Sequence, residues 1–300
     1  MIDQRPPTID PIAAQRWAQR RGAQLPLQAP WLHEEVGSRM QERLDWISQT
    51  PKAWAHWAAV NGGLDTHRKI AARYPNSQCF MQEVHIDTAQ AAIKFIAPAW
   101  WTPARWRSTV QAAAPAEGAV QLVWANMLLH SLADPQATIG QWQRALAVDG
   151  FLMFSCLGPD TVRELQAVYS ALGWGPCSHA FTDMHDWGDM LVQAGFAEPV
   201  MDMERIVLSF ASPARALQEL RGLGRNLHPQ RRADLCGRGY QRQLEAAITE
   251  HLTGPDGQIQ LTFEIIYGHA FKPAPRIKMS SESAVSIQDM RSMLARGKVQ

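Results

Sequence analysis

The 300-residue chain has only four cysteines, Cys79, Cys156, Cys177 and Cys236, and no two stand at a paired spacing. That argues against a disulfide framework or a zinc knuckle and matches a reducing compartment, so a cytoplasmic protein is expected. Net charge is nearly absent: 29 Lys and Arg against 28 Asp and Glu leave +1. Bases and acids are interspersed, so the composition carries no electrostatic footprint for nucleic acid. No apolar run approaches the length of a membrane span, and the opening MIDQRPPTIDP lacks the apolar core of a secretion signal. Neither nucleic acid nor a membrane is therefore expected as a partner. Several catalytic signatures are missing too. His33-Glu34-Glu35 has no second histidine at the spacing of a zinc-protease helix. No serine sits in a Gly-x-Ser-x-Gly elbow, and no phosphate-loop lysine motif occurs.

What the chain does have is enough apolar residue, 46%, to bury a large core, and twelve tryptophans. Those aromatics are expected mainly to pack core and helices, with an aromatic ligand pocket as the alternative. The most telling stretch runs from Val120 to Thr161. Val120–Ala125 is a short apolar segment that ends on Asn126, and Asp134-Pro135 then opens a helix with Ile139, Trp142, Ala145 and Leu146 at helical spacing. Asp149-Gly150 makes a turn into a second strand, Phe151–Cys156. Strand, helix and strand in this order form a βαβ unit with parallel strands, and ligands in such sheets bind beyond the strands' carboxyl ends. The working edge is thus expected at Asn126–Leu132 and Leu157–Thr161.

The same alternation continues on both sides. An amphipathic helix begins at Trp31, and Lys52–Leu64 holds a first strand and its loop. A helix over Asp65–Tyr74, a strand over Gln78–Gln82 and a helix over Thr88–Ile96 follow. Pro98–Arg107 reads as a Trp- and Pro-rich connector. Further helices are expected over Thr161–Leu172, Met184–Ala194 and Ser212–Leu223, and strands over Met201–Ser209 and Gln258–Tyr267. One domain is expected over 31–272, carrying a helical insertion at 213–257. A loose arm, 1–30, precedes it, and a flexible tail, 273–300, follows.

Several blocks carry a family resemblance. They are the Val120–Thr161 stretch with its Phe-Ser-Cys-Leu-Gly-Pro-Asp-Thr ending, HAFTDMHDWGDMLVQAGFAEPVMDME at His179–Glu204, and LTFEIIYGHAFKP at Leu261–Pro273. Together the chain resembles the malonyl-acyl carrier protein O-methyltransferases of biotin synthesis, within the class I S-adenosylmethionine-dependent superfamily. The resemblance implies a Rossmann-like α/β fold with a mostly parallel seven-stranded sheet. It also implies S-adenosylmethionine as cofactor and a malonyl group on acyl carrier protein as partner and substrate. A methyltransferase-fold protein that has lost turnover and serves as a binding protein is the alternative. One departure favours that alternative: the acid and the glycine triplet usual after the first strand are replaced by Trp57-Ala-Ala-Val-Asn-Gly-Gly-Leu64.

Carboxylate methylation needs no general base, because the acceptor is already an anion; the fixtures required are binding groups. For the donor the expected residues are Asn61, Gly62 and Gly63 in the rewritten loop, Glu83 for the ribose hydroxyls, and Asn126 after the fourth strand. Trp100, Trp101 and Trp106 offer a face for adenine. For the acceptor, Arg163 supplies a planar cation, with Tyr267 and His269 as polar contacts. His130 stands on the working edge, where a satisfied loop histidine is the plainer reading.

Overall fold

The computed structural model describes residues 9–22, 27–97, 109–232 and 237–275. Residues 98–108, with Trp100, Trp101 and Trp106, and most of the expected tail lie outside them. The first element is α1 (Pro11–Gly22), followed by α2 (Trp31–Glu42). Then come β1 (Ala53–Trp57), the single turn α3 (Ala59–Gly62), α4 (Leu64–Arg73), β2 (Gln78–Gln82) and α5 (Ile86–Ile96). The middle of the chain holds β3 (Thr109–Gln111), β4 (Val120–Ala125), α6 (Pro135–Ala145), β5 (Leu146–Leu157) and α7 (Arg163–Ala171). It closes with α8 (Met184–Gln193), β6 (Ala197–Phe210), α9 (Pro213–Leu223), α10 (Arg238–Leu252) and β7 (Ile259–Phe271).

The strands form one seven-stranded sheet in the order β3-β2-β1-β4-β5-β7-β6. The first five run parallel, while β7 is antiparallel to both β5 and β6. The mostly parallel α/β sheet expected from the sequence is therefore present. Asp134 starts α6 as the reading of Asp134-Pro135 required: its carboxylate accepts the Ala137 N–H at 2.9 Å, with proline in the first turn.

Burial explains why β4 and β5 read as continuous apolar runs rather than as alternating ones. Leu122, Trp124, Phe151 and Met153 face a core shared with α2, α7 and α10, whereas Val123, Ala125, Leu152 and Phe154 face one shared with α6 and α8. Trp54, Trp124, Trp142 and Trp187 are fully buried in these layers and Trp57 nearly so, which makes packing the role of five of the nine described tryptophans. The Asp149-Gly150 turn is drawn into the strand instead: β5 starts at Leu146, with Asp149 at φ 62° and a register shift against β4. Helices α9 and α10 occupy the connection between β6 and β7 where the helical insertion was expected. Their inner sides, including Ala216, Leu217, Leu244 and Ile248, join the same core as α7.

The segment before α2 is more than an arm. Asp10 caps α1 through the Ile12 and Ala13 N–H groups, and its own N–H donates to Leu227 O at 2.9 Å. Its carboxylate pairs with Arg231 at 2.7 Å. At the other end of α1, Arg21 Nη1 donates to Gly222 O at 2.8 Å. Helix α1 is thus tied at both ends to the chain around α9, across the carboxyl edge of the sheet.

Candidate active site

Beneath α1 lies a cavity of about 300 Å³. Its floor comes from residues just past three parallel strands: Ala58, Val60 and Asn61 after β1, Glu83 after β2, and Leu128, Ser131 and Leu132 after β4. That is where an open α/β sheet binds ligands. Trp17, Ala18 and Arg21 of α1 form the roof.

The loop after β1 keeps its place by hydrogen bonding instead of by the customary glycines. Ala58 takes the left-handed conformation, φ 52°, and its N–H donates to Gln82 O at 2.8 Å. The Val60 N–H donates to Glu83 Oε1 at 2.8 Å. Asn61 Nδ2 donates to Met127 O at 3.2 Å, its Oδ1 accepts from Arg21 Nη2, and its backbone oxygen accepts from His33 Nδ1 at 2.7 Å. Burial pushes the Glu83 carboxyl up to about 7, against the lowering effects of the Val60 N–H and of Arg21. Arg21 is lowered to about 10, by burial and then by nearby Arg225. Only one Glu83 oxygen is engaged by the Val60 N–H, so the other is available to a ligand hydroxyl.

A second cavity, of about 440 Å³, adjoins the first, and Trp17 and Ser131 line both. Its walls are largely apolar, from Leu165, Phe181, Leu217 and Phe263, and its polar groups include His130, His179, Arg221 and Arg225. The Trp17 ring stands between two cations: the Arg21 guanidinium carbon is 5.4 Å from its centroid and that of Arg225 4.9 Å. Arg225 donates only to backbone oxygens, those of Arg221 and Gly224 at 2.6 and 2.8 Å, and forms no ion pair among the described residues. His130 is buried at the seam. Its Nδ1 accepts the Leu157 N–H at 3.3 Å, its backbone oxygen accepts from His179 Nε2 at 2.7 Å, and burial holds its pKa well below the usual imidazole range.

Of the expected donor residues, the structure brings Asn61 and Glu83 into the first cavity. Gly62, Gly63 and Asn126 lie behind it. A Cβ on Gly62 would sit 3.1 Å from Asn126 O, and one on Gly63 only 2.4 Å from a Glu34 carboxylate oxygen. These glycines admit the protein's own groups, Asn126 and Glu34, at close range. Asn126 is wholly buried; its Nδ2 donates to His33 O at 2.6 Å and to Gly62 O, and its Oδ1 accepts from Ser155. It clamps α2, the β1 loop and β5 together and lines neither cavity.

The expected acceptor residues are also placed elsewhere. Arg163, at the start of α7, is exposed and lies 3.5 Å from Asp160, outside both cavities. Tyr267 donates its hydroxyl to Glu204 beneath the Arg43 guanidinium, 3.7 Å from the ring centroid, and burial next to Glu204 raises its pKa. His269 packs between Phe151 and Phe271. The sequence reading missed Trp17, Arg21, Arg221 and Arg225. Its only signal was a run of arginines without acids in a helix whose docking site no local pattern reveals.

The strand order, the antiparallel β7 and a cavity over the carboxyl ends of β1, β2 and β4 are those of the class I methyltransferase fold. Solved structures share the fold: the YcgJ protein of Bacillus subtilis superimposes with a TM-score of 0.52 at 10% identity, covering 80% of this chain and 99% of that one. A Bacillus halodurans C-125 protein assigned as a methyltransferase does so with a TM-score of 0.52 at 15% identity, covering 80% and 100%. No protein-family model matches the chain. Its sequence is 34% identical over 266 residues to the malonyl-[acyl-carrier protein] O-methyltransferase of Gallionella capsiferriformans, covering 85% of this chain and 88% of the relative. It is 35% identical over 261 residues to that of Laribacter hongkongensis, covering 82% and 84%. The chain belongs to the malonyl-[acyl-carrier protein] O-methyltransferase family, and its cofactor is S-adenosylmethionine. Among the described residues, no helix is long and apolar enough to cross a membrane.

Proposed function

We propose that this protein methylates the free carboxylate of a malonyl thioester on acyl carrier protein, in the cytoplasm. The observation that carries the reading is the pair of adjoining cavities, with a carboxylate in one, a cation in the other and a shared seam at Trp17 and Ser131. The residues of the first cavity suit the cofactor's chemistry. Glu83 would take the ribose hydroxyls, Arg21 the carboxylate of the methionine half, and Val60, Val84 and Leu132 the flat apolar ring system. When bound, S-adenosylmethionine supplies an electrophilic methyl on a sulfonium.

Arg225, with Arg221 beside it, would hold the acceptor carboxylate at the seam. Methyl transfer would form the new O–C bond on the held carboxylate oxygen and leave the electron pair of the broken S–C bond on sulfur. No proton moves, which agrees with a neutral His130. The remaining task is to exclude water, and the apolar walls and the α1 roof serve it. The cytoplasmic placement rests on the described cysteines, Cys79, Cys156 and Cys177, which stand as free thiols. Trp17 lines the junction instead of filling it, so the lapsed alternative has no support from a plugged site.

The test is direct. Full-length protein is incubated with S-adenosylmethionine bearing a labelled methyl and with malonyl-acyl carrier protein, and the carrier is examined by intact mass. The expected product is the malonyl methyl ester. Cofactor binding without transfer to this carrier would refute the acceptor assignment; no binding at millimolar cofactor would refute the enzyme reading.

A further inference from the structure

His130 lines the acceptor cavity, and the next residue, Ser131, belongs to both cavities. Two backbone contacts determine what this imidazole can do. A backbone N–H can only donate, so the Leu157 N–H, 3.3 Å from His130 Nδ1, requires an unprotonated Nδ1. The neutral ring then carries its proton on Nε2. The same logic applies next door. His179 Nε2 is 2.7 Å from the His130 backbone oxygen, so that nitrogen carries the His179 proton and helps hold the His130 segment in place. The ring of His130 is further packed edge-on against Phe181, with centroids 6.1 Å apart. His130 Nε2 forms no hydrogen bond to the protein among the described residues, whereas its Nδ1 is engaged.

A second proton on this ring would have to sit on Nδ1, facing the Leu157 N–H. The ionisable neighbours that bear on it, His33 on α2 and His179 in the loop before α8, are imidazoles and offer no negative charge. A ring so held is neither a base, since its free lone pair is already engaged, nor a cation. It is a fixed neutral donor at the wall of the acceptor cavity.

We propose that His130 is a catalytic hydrogen-bond donor, presenting Nε2–H to the acceptor's carboxyl oxygen that is not being methylated. The inference rests on the acceptor assignment made above. As the O–C bond forms, the carboxylate's charge falls, and the group becomes an ester whose carbonyl oxygen still accepts from Nε2–H. The donor therefore orients the acceptor throughout, and His130 neither takes up nor releases a proton. A cation alone would leave the carboxylate free to rotate, so that either oxygen or neither faced the methyl. A second contact of fixed direction removes that freedom.

Four measurements on the full-length protein test this. In kinetics with malonyl-acyl carrier protein, His130→Ala should lower kcat/KM about tenfold or more, the effect of one hydrogen bond to a charged oxygen. His130→Gln, which returns an N–H donor, should recover to within about threefold of the parent. Thermal melts identify any variant whose loss is one of folding, and cofactor affinity should be unchanged in both. Independently, nitrogen NMR of labelled histidines should show the His130 proton on Nε2 and no titration from about pH 5.5 to 8.5. A proton on Nδ1, titration in step with kcat/KM, or His130→Ala turning over like the parent would each overturn the proposal. Absence of methyl transfer by the parent protein would instead remove the acceptor assignment, and this role with it.

Discussion

Glu83 gives the sharpest quantitative handle on the donor site. Its carboxyl, placed after β2, titrates near 7 because it is buried, although it accepts the Val60 N–H. Its native pKa lies above the ordinary 4.5, so the folded protein holds this proton more tightly than the unfolded chain. The sign follows: Glu83 costs nothing below about pH 4.5, and its destabilising effect grows as pH rises toward 7. Cofactor affinity should run the opposite way, because a ribose diol donates and prefers the carboxylate. With a pKa of about 7, the group is about one-tenth ionised at pH 6 and about nine-tenths at pH 8. The dissociation constant for S-adenosylmethionine or its demethylated product should therefore improve about tenfold between those pH values. Glu83→Gln is the cleaner perturbation than alanine, since it still accepts the Val60 N–H and spares the loop. It removes the charge from the hydroxyl contacts, at a cost of about 1.4 kcal/mol, or tenfold, at pH 8, and should abolish the pH dependence. Isothermal titration at pH 6, 7 and 8 measures both effects. A pH-independent affinity in the parent, or a Gln variant that binds like the parent at pH 8, would refute the ribose assignment and the enclosed-carboxylate reasoning behind it.

Two further outcomes follow from the same geometry. Arg225→Ala should raise KM for the carrier-linked acceptor about tenfold while leaving cofactor affinity within about twofold, because Arg225 lines the acceptor side only; steady-state kinetics paired with titration checks the split. Gly63→Ala should destabilise the fold by about 3 kcal/mol, read as a loss of more than about 5 °C in melting temperature. At φ 117° the new methyl group is strained, and it would displace the Glu34 carboxylate that accepts the Asp65 and Thr66 N–H groups at the start of α4.

Much of the architecture could be read from the chain because the sheet's centre is covered on both faces. Full burial turns β4 and β5 into the apolar runs VQLVWA and FLMFSCL, and caps such as Asp134-Pro135 mark the helix between them. Gln78–Gln82 has the bounds the sequence implied. The three-residue edge strand Thr109–Gln111 had no such signature, since so short a segment shows no period. Site residues divided along similar lines. The position of Glu83 at the first cavity was legible because strand topology alone puts the end of β2 beside the loop after β1. Arg163 lies outside the cavities because at the start of α7 it faces solvent and Asp160, an orientation that depends on helix rotation. The cations that do reach the cavities come from α1 and from the end of α9 and the residues just after it. Their proximity is a tertiary fact: Arg21 contacts Asn61 across 40 positions and Asp10 contacts Arg231 across 221.

The placing of β7 between β5 and β6 also bears on how the molecule comes off the ribosome. While the chain is being made, β6 emerges with no neighbour to pair with. Its fourteen residues stay a bare edge until the stretch ending at Phe271 has been synthesised. The nascent protein thus carries a long unsatisfied strand while residues 211–271 are being made, the interval in which a chaperone would be most useful to it.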